Sequence, residues 1–191
     1  MRRAAFIDRD GTLIVDKNYL SDPEQLEWIP GTIEALKKLR IAGFLIYIVS
    51  NQSGVARGYF DESAVRAVNE RMLADLARAG IEVDGVYYCP YHPRAKIKKY
   101  RRDSELRKPG AGMLKKAARQ EDIDFAASYM FGDKISDLEA GRKMNCRLVL
   151  VETGKGKKAR EKLDKLDLTP DLIAVDFPTA VRRIVTPPGE R

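Results

Sequence analysis

Short apolar runs alternate with longer amphipathic stretches along nearly the whole chain. The apolar runs predict six buried strands, which are Ala4–Ile7, Leu45–Val49, Val86–Tyr88, Tyr129–Phe131, Leu148–Val151 and Leu172–Ala174. The stretches after them predict helices over Thr32–Ala42, Glu62–Ala79, Ala111–Arg119, Ile135–Met144, Lys158–Lys165 and Pro178–Val185. This repeated β-α order predicts an α/β fold, a Rossmann-like three-layer domain with a central parallel sheet. Such sheets bind ligands at the carboxyl ends of their strands.

The length limits the domain organisation. The 191 residues suffice for one α/β domain with a real core and are too few for two ordinary domains. We therefore expect a single domain over residues 1–185 and a C-terminal tail over residues 186–191. The absence of a long apolar run or signal peptide, with only Cys89 and Cys146 as cysteines, favours a cytoplasmic protein that contacts no membrane. We expect it to be a monomer.

The net charge of +7 is concentrated in one segment. Between positions 94 and 108, eight basic residues stand against two acidic ones, which accounts for nearly the whole excess. The basic residues are Arg94, Lys96, Lys98, Lys99, Arg101, Arg102, Arg107 and Lys108. Such a segment can attract phosphorylated metabolites or nucleic acid. A solvated loop would have the same composition, so the charge by itself leaves both interpretations open.

Two aspartates, Asp8 and Asp10, end the first predicted strand. Residues two apart on a strand point to the same side, so both carboxylates can face one pocket. Gly11 follows them and permits a sharp turn. Such a pair can hold a hard divalent cation, or divide nucleophilic and acid–base roles between its members. Solvated carboxylates in a turn are the alternative that this motif alone leaves open.

Three further polar motifs stand beside predicted strand ends and helix starts. Ser50–Ser53 offers a hydroxyl, carboxamides and backbone N–H groups that suit an oxyanion. Arg107 and Lys108 precede a predicted helix, and Asp133–Asp137 follows the fourth strand with an acidic pair. Taken singly, these motifs could be a polar turn, a solvated loop and capping residues. Their order and shared position favour one common site.

That order resembles the haloacid dehalogenase-like phosphatases, whose four motifs are an aspartate pair, a Ser or Thr, a Lys and an acidic cluster. The match covers residues 6–137. It implies that Asp8 attacks phosphorus to form an aspartyl phosphate. It implies that Asp10 protonates the leaving alkoxide and later deprotonates the hydrolytic water.

The same resemblance implies a metal ligand set and two groups that stabilise the transferred phosphoryl group. Mg²⁺ would be held by the Asp8 carboxylate, the Asp10 backbone carbonyl and the Asp133 carboxylate, with Asp137 behind these ligands. Ser50 and Lys108 would hold the phosphoryl oxygens, where negative charge develops in the transition state.

Longer blocks narrow the resemblance to the D-glycero-D-manno-heptose 1,7-bisphosphate phosphatases of that family, with the histidinol-phosphate phosphatase domain as the nearest relative. The blocks are Asp8–Thr12, Asp16–Tyr19, Asn51–Gly58, Gly85–Pro90, Arg107–Gly110 and Ala127–Lys134. The resemblance implies removal of the C7 phosphate of the sugar. It implies that the substrate is bound by Asp16, Lys17, Asn18, Tyr19, Asn51, Gln52, Ser53, Arg107 and Lys134.

The chain departs from these relatives at a structural zinc site. Many members carry Cys-x-His and then Cys-x-Cys before the Arg-Lys pair, and the matching positions here are Cys89, Tyr91, Ser104 and Leu106. His92 is one place too late to replace the missing histidine. A tetrahedral zinc site needs four donors, so we expect no structural zinc. The conformation of residues 90–106 without zinc is left open.

Segment lengths and rival functions complete the sequence picture. The segments that separate Asp10 from Ser50 and Ser50 from Lys108 are long enough for helices and loops but too short for a cap domain. A histidinol-phosphate phosphatase is the main enzymatic alternative. A polynucleotide 3′-phosphatase is a weaker one, because the basic residues are not accompanied by an aromatic stacking series, and we therefore do not expect a nucleic-acid partner. A non-catalytic protein that binds phosphate ligands or nucleic acid is the alternative from another class, although a binder would not need two carboxylates facing a phosphate.

Overall fold

Six parallel strands form one sheet in a computed structural model that describes residues 1–186. The strands are β1 (Ala4–Ile7), β2 (Leu45–Asn51), β3 (Gly85–Cys89), β4 (Tyr129–Gly132), β5 (Arg147–Val151) and β6 (Leu172–Ala174). Their order across the sheet is β3-β2-β1-β4-β5-β6, and every neighbouring pair is parallel. The predicted α/β fold is therefore confirmed. The predicted C-terminal tail lies outside the described residues apart from Thr186.

Seven α-helices connect or follow the strands in the described part of the chain. They are α1 (Thr32–Ile41), α2 (Ser53–Arg57), α3 (Glu62–Arg78), α4 (Gly112–Ala117), α5 (Ile135–Arg142), α6 (Gly156–Leu163) and α7 (Phe177–Val185). Two 3₁₀ turns lie at Pro23–Gln25 and Lys98–Tyr100. The helix α2 was not predicted, because five residues are too few to show a helical period.

Both faces of the sheet are buried, as the unbroken apolar strands predict. Successive residues of β1 enter different hydrophobic clusters: Ala5 and Ile7 pack on one face, and Ala4 and Phe6 on the other. The first cluster also holds buried residues of α1, α3 and α7, and the second holds buried residues of α4. The result is three layers, with the sheet between helices.

The strand order places a crevice between β1 and β4. From β1 the chain builds the sheet first through β2 and β3 on one side, and then through β4, β5 and β6 on the other. Ligands of open parallel sheets bind outside the carboxyl ends of the strands at such a reversal. Asp8 and Asp133 follow the last residues of β1 and β4, so the fold brings them to this crevice.

The connections between the strands consist of helices, turns and loops. Between β1 and β2 the chain forms a 3₁₀ turn and α1, and between β2 and β3 it forms α2 and α3. Over residues 1–186 these connections contain no cap domain, as the segment lengths predict. None of the described helices is long and apolar enough to cross a membrane.

Candidate active site

A pocket of about 210 Å³ lies at the carboxyl ends of β1, β2 and β4. It gathers residues from all four motifs that the sequence singled out. Its lining consists of Asp8, Asp10, Asp16, Asn18, Tyr19, Leu20, Ser50, Asn51, Gln52, Ser53, Lys108, Lys134, Asp137 and Lys155. Residues separated by as many as 147 positions thus meet at one site because their strands end at the same edge of the sheet.

Asp8 lies at the floor of the pocket and is almost completely buried. Its Oδ1 accepts a 2.6 Å hydrogen bond from the Lys108 ammonium, and its Oδ2 accepts one of 3.3 Å from the Lys134 ammonium. Burial would raise the pKa of Asp8, but the charges and hydrogen bonds of these two lysines outweigh burial and lower it to about 2. Asp8 is therefore an ionised carboxylate at neutral pH.

Lys108 is fixed on several sides. Its ammonium donates to Asp8 and, at 2.6 Å, to the carbonyl oxygen of Val49, and it lies 2.7 Å from Oδ1 of Asp137. Burial alone would lower its pKa, but the Asp137 and Asp8 carboxylates raise it, so the ammonium is charged. Asn51 holds the backbone of Lys108 through two 3.0 Å hydrogen bonds, one to the N–H and one to the carbonyl. The cation therefore has a defined position beside Asp8.

Asp10 is the more accessible of the two aspartates. Its carboxylate accepts hydrogen bonds from the Ser50 hydroxyl at 3.3 Å and the Gln52 amide at 2.9 Å. The guanidinium of Arg9 also donates to both of its oxygens, each at 3.1 Å. The predicted pair thus occupies two environments, with Asp8 between lysines and Asp10 among uncharged donors and one arginine.

Lys134 marks a cation position. Its ammonium donates to Asp133 Oδ1 at 2.6 Å, to the Asp10 carbonyl at 3.2 Å and to Asp8 Oδ2 at 3.3 Å. These three oxygens are the ligands that the sequence resemblance assigned to Mg²⁺. Hard divalent cations prefer carboxylate and carbonyl oxygens, and a positive group already lies among them. The donor set therefore fits such an ion. Asp8, Asp133 and Asp137 also have carboxylate oxygens within 4.8 Å of one another.

Asp133 and Asp137 are both buried. Burial and the Asp8 and Asp137 charges raise the pKa of Asp133 to about 7, against the opposing charge of Lys134. Burial also raises the pKa of Asp137, and the Lys108 charge opposes that shift. Three buried carboxylates around two ammonium groups repel one another, so the cluster favours a further cation.

Two glycines allow the chain to pass close to Asp133. A Cβ on Gly11 would lie 2.4 Å from Asp133 Oδ2, and a Cβ on Gly154 would lie 2.2 Å from the same oxygen. Both residues have positive φ, at 93° and 56°. The backbone N–H of Lys155 then donates to that oxygen at 2.7 Å. Only glycine meets both the conformational and the spatial demand at these positions.

The residues expected to bind substrate fall into two groups. Seven line the pocket, and these are Asp16, Asn18, Tyr19, Asn51, Gln52, Ser53 and Lys134. Lys17 and Arg107 are not part of that lining. The Lys17 ammonium pairs with Glu27, and the half-buried Arg107 donates to the Tyr91 carbonyl at 3.4 Å. A direct contact between Lys17 and substrate would require that ion pair to break.

Aromatic contacts hold residues 90–106, the segment for which the sequence predicts no structural zinc. Cys89 is buried, and Tyr91 and Leu106 pack against its hydrophobic cluster. The Arg102 guanidinium lies 3.6 Å from the centre of the Tyr91 ring. The Glu62 carboxylate accepts hydrogen bonds of 2.8 Å from the hydroxyls of both Tyr88 and Tyr100. These contacts give residues 90–106 a defined path over α3.

Sequence reasoning missed Arg9, Lys155 and the role of Gly154. Arg9 stands between the two aspartates at the end of a buried strand. A charged residue at such a position is rarely buried without a partner, so it could have indicated a paired functional group. Lys155 follows Gly154 after β5, and its ammonium reaches Asn18 Oδ1 at 3.0 Å across the pocket. Thr153-Gly154-Lys155-Gly156 at a strand end could have been recognised as a fifth polar motif.

Comparisons with known proteins agree with this geometry. A HAD-hydrolase-like family model matches residues 105–180. The D-glycero-beta-D-manno-heptose-1,7-bisphosphate 7-phosphatase of Pasteurella multocida is 43% identical over 180 residues, covering 91% of this chain and 97% of that protein. The enzyme of the same name from Escherichia coli K12 is 44% identical, covering 80% of both chains.

Solved structures show the same likeness. The crystal structure of D,D-heptose 1,7-bisphosphate phosphatase from B. bronchiseptica, complexed with magnesium and phosphate, matches with a TM-score of 0.82 and 30% identity. The match covers 96% of this chain and 98% of that one. With the aspartate pair, the buried lysine and the acidic cluster assembled in one pocket, the chain belongs to the heptose-1,7-bisphosphate 7-phosphatase family of haloacid dehalogenase-like hydrolases.

Proposed function

We propose that this phosphatase removes the C7 phosphate of D-glycero-D-manno-heptose 1,7-bisphosphate through an aspartyl-phosphate intermediate. The observation that carries the proposal is the pair of environments at the end of β1. Asp8 is ionised and fixed by Lys108 at 2.6 Å, while Asp10 lies in the same pocket and is partly exposed. The names of the 43–44% identical relatives supply the substrate.

Asp8 is the nucleophile of this mechanism. Its carboxylate oxygen forms a bond to phosphorus while the bond from phosphorus to the C7 oxygen breaks, and Asp10 donates a proton to that leaving oxygen. In the second step Asp10 takes a proton from water, which attacks the phosphorus. The aspartyl-phosphate bond breaks, so inorganic phosphate leaves and the Asp8 carboxylate is regenerated.

Ser50 and Lys108 stabilise the phosphoryl group during transfer. The Lys108 ammonium lies beside the attacking carboxylate, and the Ser50 hydroxyl lies next to Asp10. Both line the pocket, so their donors can meet the equatorial phosphoryl oxygens. Fixed donors of this kind stabilise charge that develops in the transition state without reorganisation.

Mg²⁺ is the cofactor that fits the oxygen cluster. The Asp8 carboxylate, the Asp10 carbonyl and the Asp133 carboxylate would hold it, since all three already surround the ammonium of Lys134. When bound, the ion neutralises negative charge on the phosphoryl oxygens. The hydrogen bond from the Lys155 backbone fixes the other oxygen of Asp133.

Two arginines beside pocket-lining residues support recognition of a second phosphate: Arg57 near Tyr19, and Arg107 next to Lys108 in the chain. Arg57 ends α2, and its guanidinium carbon lies 5.9 Å from the ring centre of Tyr19, which lines the pocket. Burial and the charge of Arg57 lower the pKa of Arg107. Neither forms an ion pair within residues 1–186. Arginines without a carboxylate partner favour an anion such as the C1 phosphate.

Phosphate release from a small substrate panel tests the proposal. The panel consists of the heptose bisphosphate, histidinol phosphate and a 3′-phosphorylated oligonucleotide, each with Mg²⁺ and with excess chelator. We expect the heptose bisphosphate to have the highest kcat/KM, and the activity to disappear with the chelator. A higher kcat/KM with histidinol phosphate or the oligonucleotide would overturn the substrate assignment. No phosphate release from any of the three would contradict the enzymatic function.

A further inference from the structure

Arg9 is a buried cation directly behind the pocket. Its side chain is 1% exposed, and its guanidinium joins two elements that are distant in the sequence. On one side, Nε and Nη2 donate to the two carboxylate oxygens of Asp10, both at 3.1 Å. On the other, Nη1 donates to Oδ1 of the buried Asn69 on α3 at 2.7 Å. The guanidinium is thus held at one end by α3 and at the other holds Asp10.

The hydrogen bonds at Asp10 are unevenly divided between its oxygens. Oδ2 accepts from Arg9 Nε at 3.1 Å and from the Gln52 amide at 2.9 Å, and these two donors remain when the Ser50 hydroxyl, which donates to Oδ2 at 3.3 Å, turns to the phosphoryl group. Oδ1 accepts only from Arg9 Nη2. A carboxylate oxygen has about two lone-pair directions, so Oδ2 is saturated and Oδ1 retains a free one. Oδ1 is therefore the oxygen that can carry the proton.

We propose that Arg9 is a positioning residue, which holds the Asp10 carboxylate so that Oδ1 carries out both proton transfers, with Asn69 fixing the far end of the guanidinium. The inference rests on the acid–base role of Asp10 in the proposed function. Two parallel hydrogen bonds to one carboxylate fix its plane as well as its position, which a single donor does not.

A purely structural role explains this arrangement less well. A buried guanidinium is costly to desolvate, and an apolar side chain of similar volume often stabilises a fold equally well. The three donors of Arg9 are instead directed at one pocket carboxylate and one anchoring amide. The arrangement makes sense if orientation of that carboxylate is what the guanidinium supplies.

Leaving-group dependence separates orientation of a proton donor from general damage to the fold. An alkyl phosphate needs a proton on its leaving oxygen, whereas p-nitrophenyl phosphate leaves as a stable anion and needs little assistance. We therefore compare kcat/KM for the heptose bisphosphate and for p-nitrophenyl phosphate in wild-type, Arg9→Lys and Asn69→Ala protein. The value of kcat/KM reflects only the steps up to phosphoryl transfer to Asp8. Hydrolysis of the aspartyl phosphate therefore does not affect the comparison.

We expect Arg9→Lys, which keeps the charge but loses the two-pronged contact, to lower kcat/KM for the alkyl substrate about 10- to 100-fold. The aryl substrate should lose about threefold or less, since its leaving group depends weakly on the acid. Asn69→Ala should lower the ratio of kcat/KM for the alkyl substrate to kcat/KM for the aryl substrate in the same direction, by a smaller factor. Val68→Ala, which opens a cavity beside Asn69 on α3, should lower the Tm and leave the ratio unchanged.

If Arg9→Lys lowers kcat/KM by the same factor for both substrates, so that the alkyl-to-aryl ratio is unchanged, the proposal is overturned. If Arg9→Lys does not fold, as judged by circular dichroism, Asn69→Ala decides the question by the same ratio. If the wild-type protein leaves the heptose bisphosphate intact, the substrate assignment fails, and glycerol phosphate serves as the alkyl substrate in the same comparison. A wild-type protein that cleaves none of these esters would contradict the role of Asp10 and this proposal together.

Discussion

The Lys108 ammonium and Oδ1 of Asp137 lie 2.7 Å apart, and both side chains are 1% exposed. Asp137 also accepts the backbone N–H of Lys134 with its other oxygen at 3.0 Å. One carboxylate therefore supports both lysines that contact Asp8. Asp137 thus contributes to the site by fixing cations, in addition to its negative charge next to Asp133.

Asp137→Asn tests this support. An amide has one carbonyl oxygen, so it cannot both face the Lys108 ammonium and accept from the Lys134 backbone, and its NH₂ group would face a donor. We expect kcat to fall at least tenfold and thermal stability to drop, because one partner of a buried ion pair is lost. Steady-state kinetics and a melting curve measure both.

Glu152→Gln provides the matched control for that experiment. Glu152 pairs with Arg160, whose side chain is 59% exposed, so the change should cost less than about 1 kcal/mol and leave kcat unaltered. If Asp137→Asn behaved like this control, the buried pair would have no measurable function.

Asp8→Asn should abolish turnover, because an amide is a poor nucleophile and a poor metal ligand. Asp10→Asn should reduce kcat by about 10²–10⁴-fold, which is the usual contribution of general acid–base catalysis. Phosphate release by the two purified variants is the measurement. Rates near wild type in either variant would disprove the assigned mechanism.

Gly154→Ala should impair the metal site. The added methyl group would lie 2.2 Å from Asp133 Oδ2 and 2.8 Å from the Cα of Gly11, so Asp133 or the Gly11 turn must move. We expect the Mg²⁺ concentration for half-maximal activity to rise at least tenfold. Gly43→Ala is the control, since it has a similar positive φ but nothing within 4 Å of the added carbon. It should lower stability only and keep the same Mg²⁺ requirement.

Arg57→Ala and Arg107→Ala should each raise KM for the heptose bisphosphate. A charged hydrogen bond to phosphate contributes roughly 1.5–3 kcal/mol, which is about tenfold to a hundredfold in affinity. Hydrolysis of a small generic phosphomonoester, which has no second phosphate, should be nearly unchanged. Lys108→Ala should instead lower kcat for both substrates, since we assign Lys108 to the transferred phosphoryl group. Equal losses on both substrates in the arginine variants would contradict the second-phosphate site.

The purified protein should contain no stoichiometric zinc. Tyr91, Ser104 and Leu106 stand at the positions that the sequence resemblance assigns to zinc ligands, and Cys89 lies in a hydrophobic cluster. Elemental analysis of protein prepared without added metal is the measurement. Zinc at one ion per chain that disappears in Cys89→Ala would show that the segment 90–106 still binds it.

The sequence by itself determined the strands and the four motifs of the site. Ala4–Ile7 has the predicted bounds because this buried strand is apolar over its whole length and ends where polar residues begin. The partly buried edge strand Leu172–Ala174 also has the predicted bounds, and the other four strands extend one or two residues beyond theirs. The same rule puts Asp8 and Asp133 at strand ends, and the common edge of a parallel sheet then brings them together. Strand positions and the polar residues at strand ends depend on local composition, so they can be predicted from a single sequence.

Only the tertiary structure decided which side chains contact one another. Arg9 and Asn69 are sixty positions apart, and no local pattern links them. The position of the Lys134 ammonium among three oxygens, and the closeness of Gly154 to Gly11, likewise follow from strand order rather than from spacing. Periodicity reports whether a residue is buried, whereas the direction and partner of a buried polar group depend on the elements that the fold packs against it.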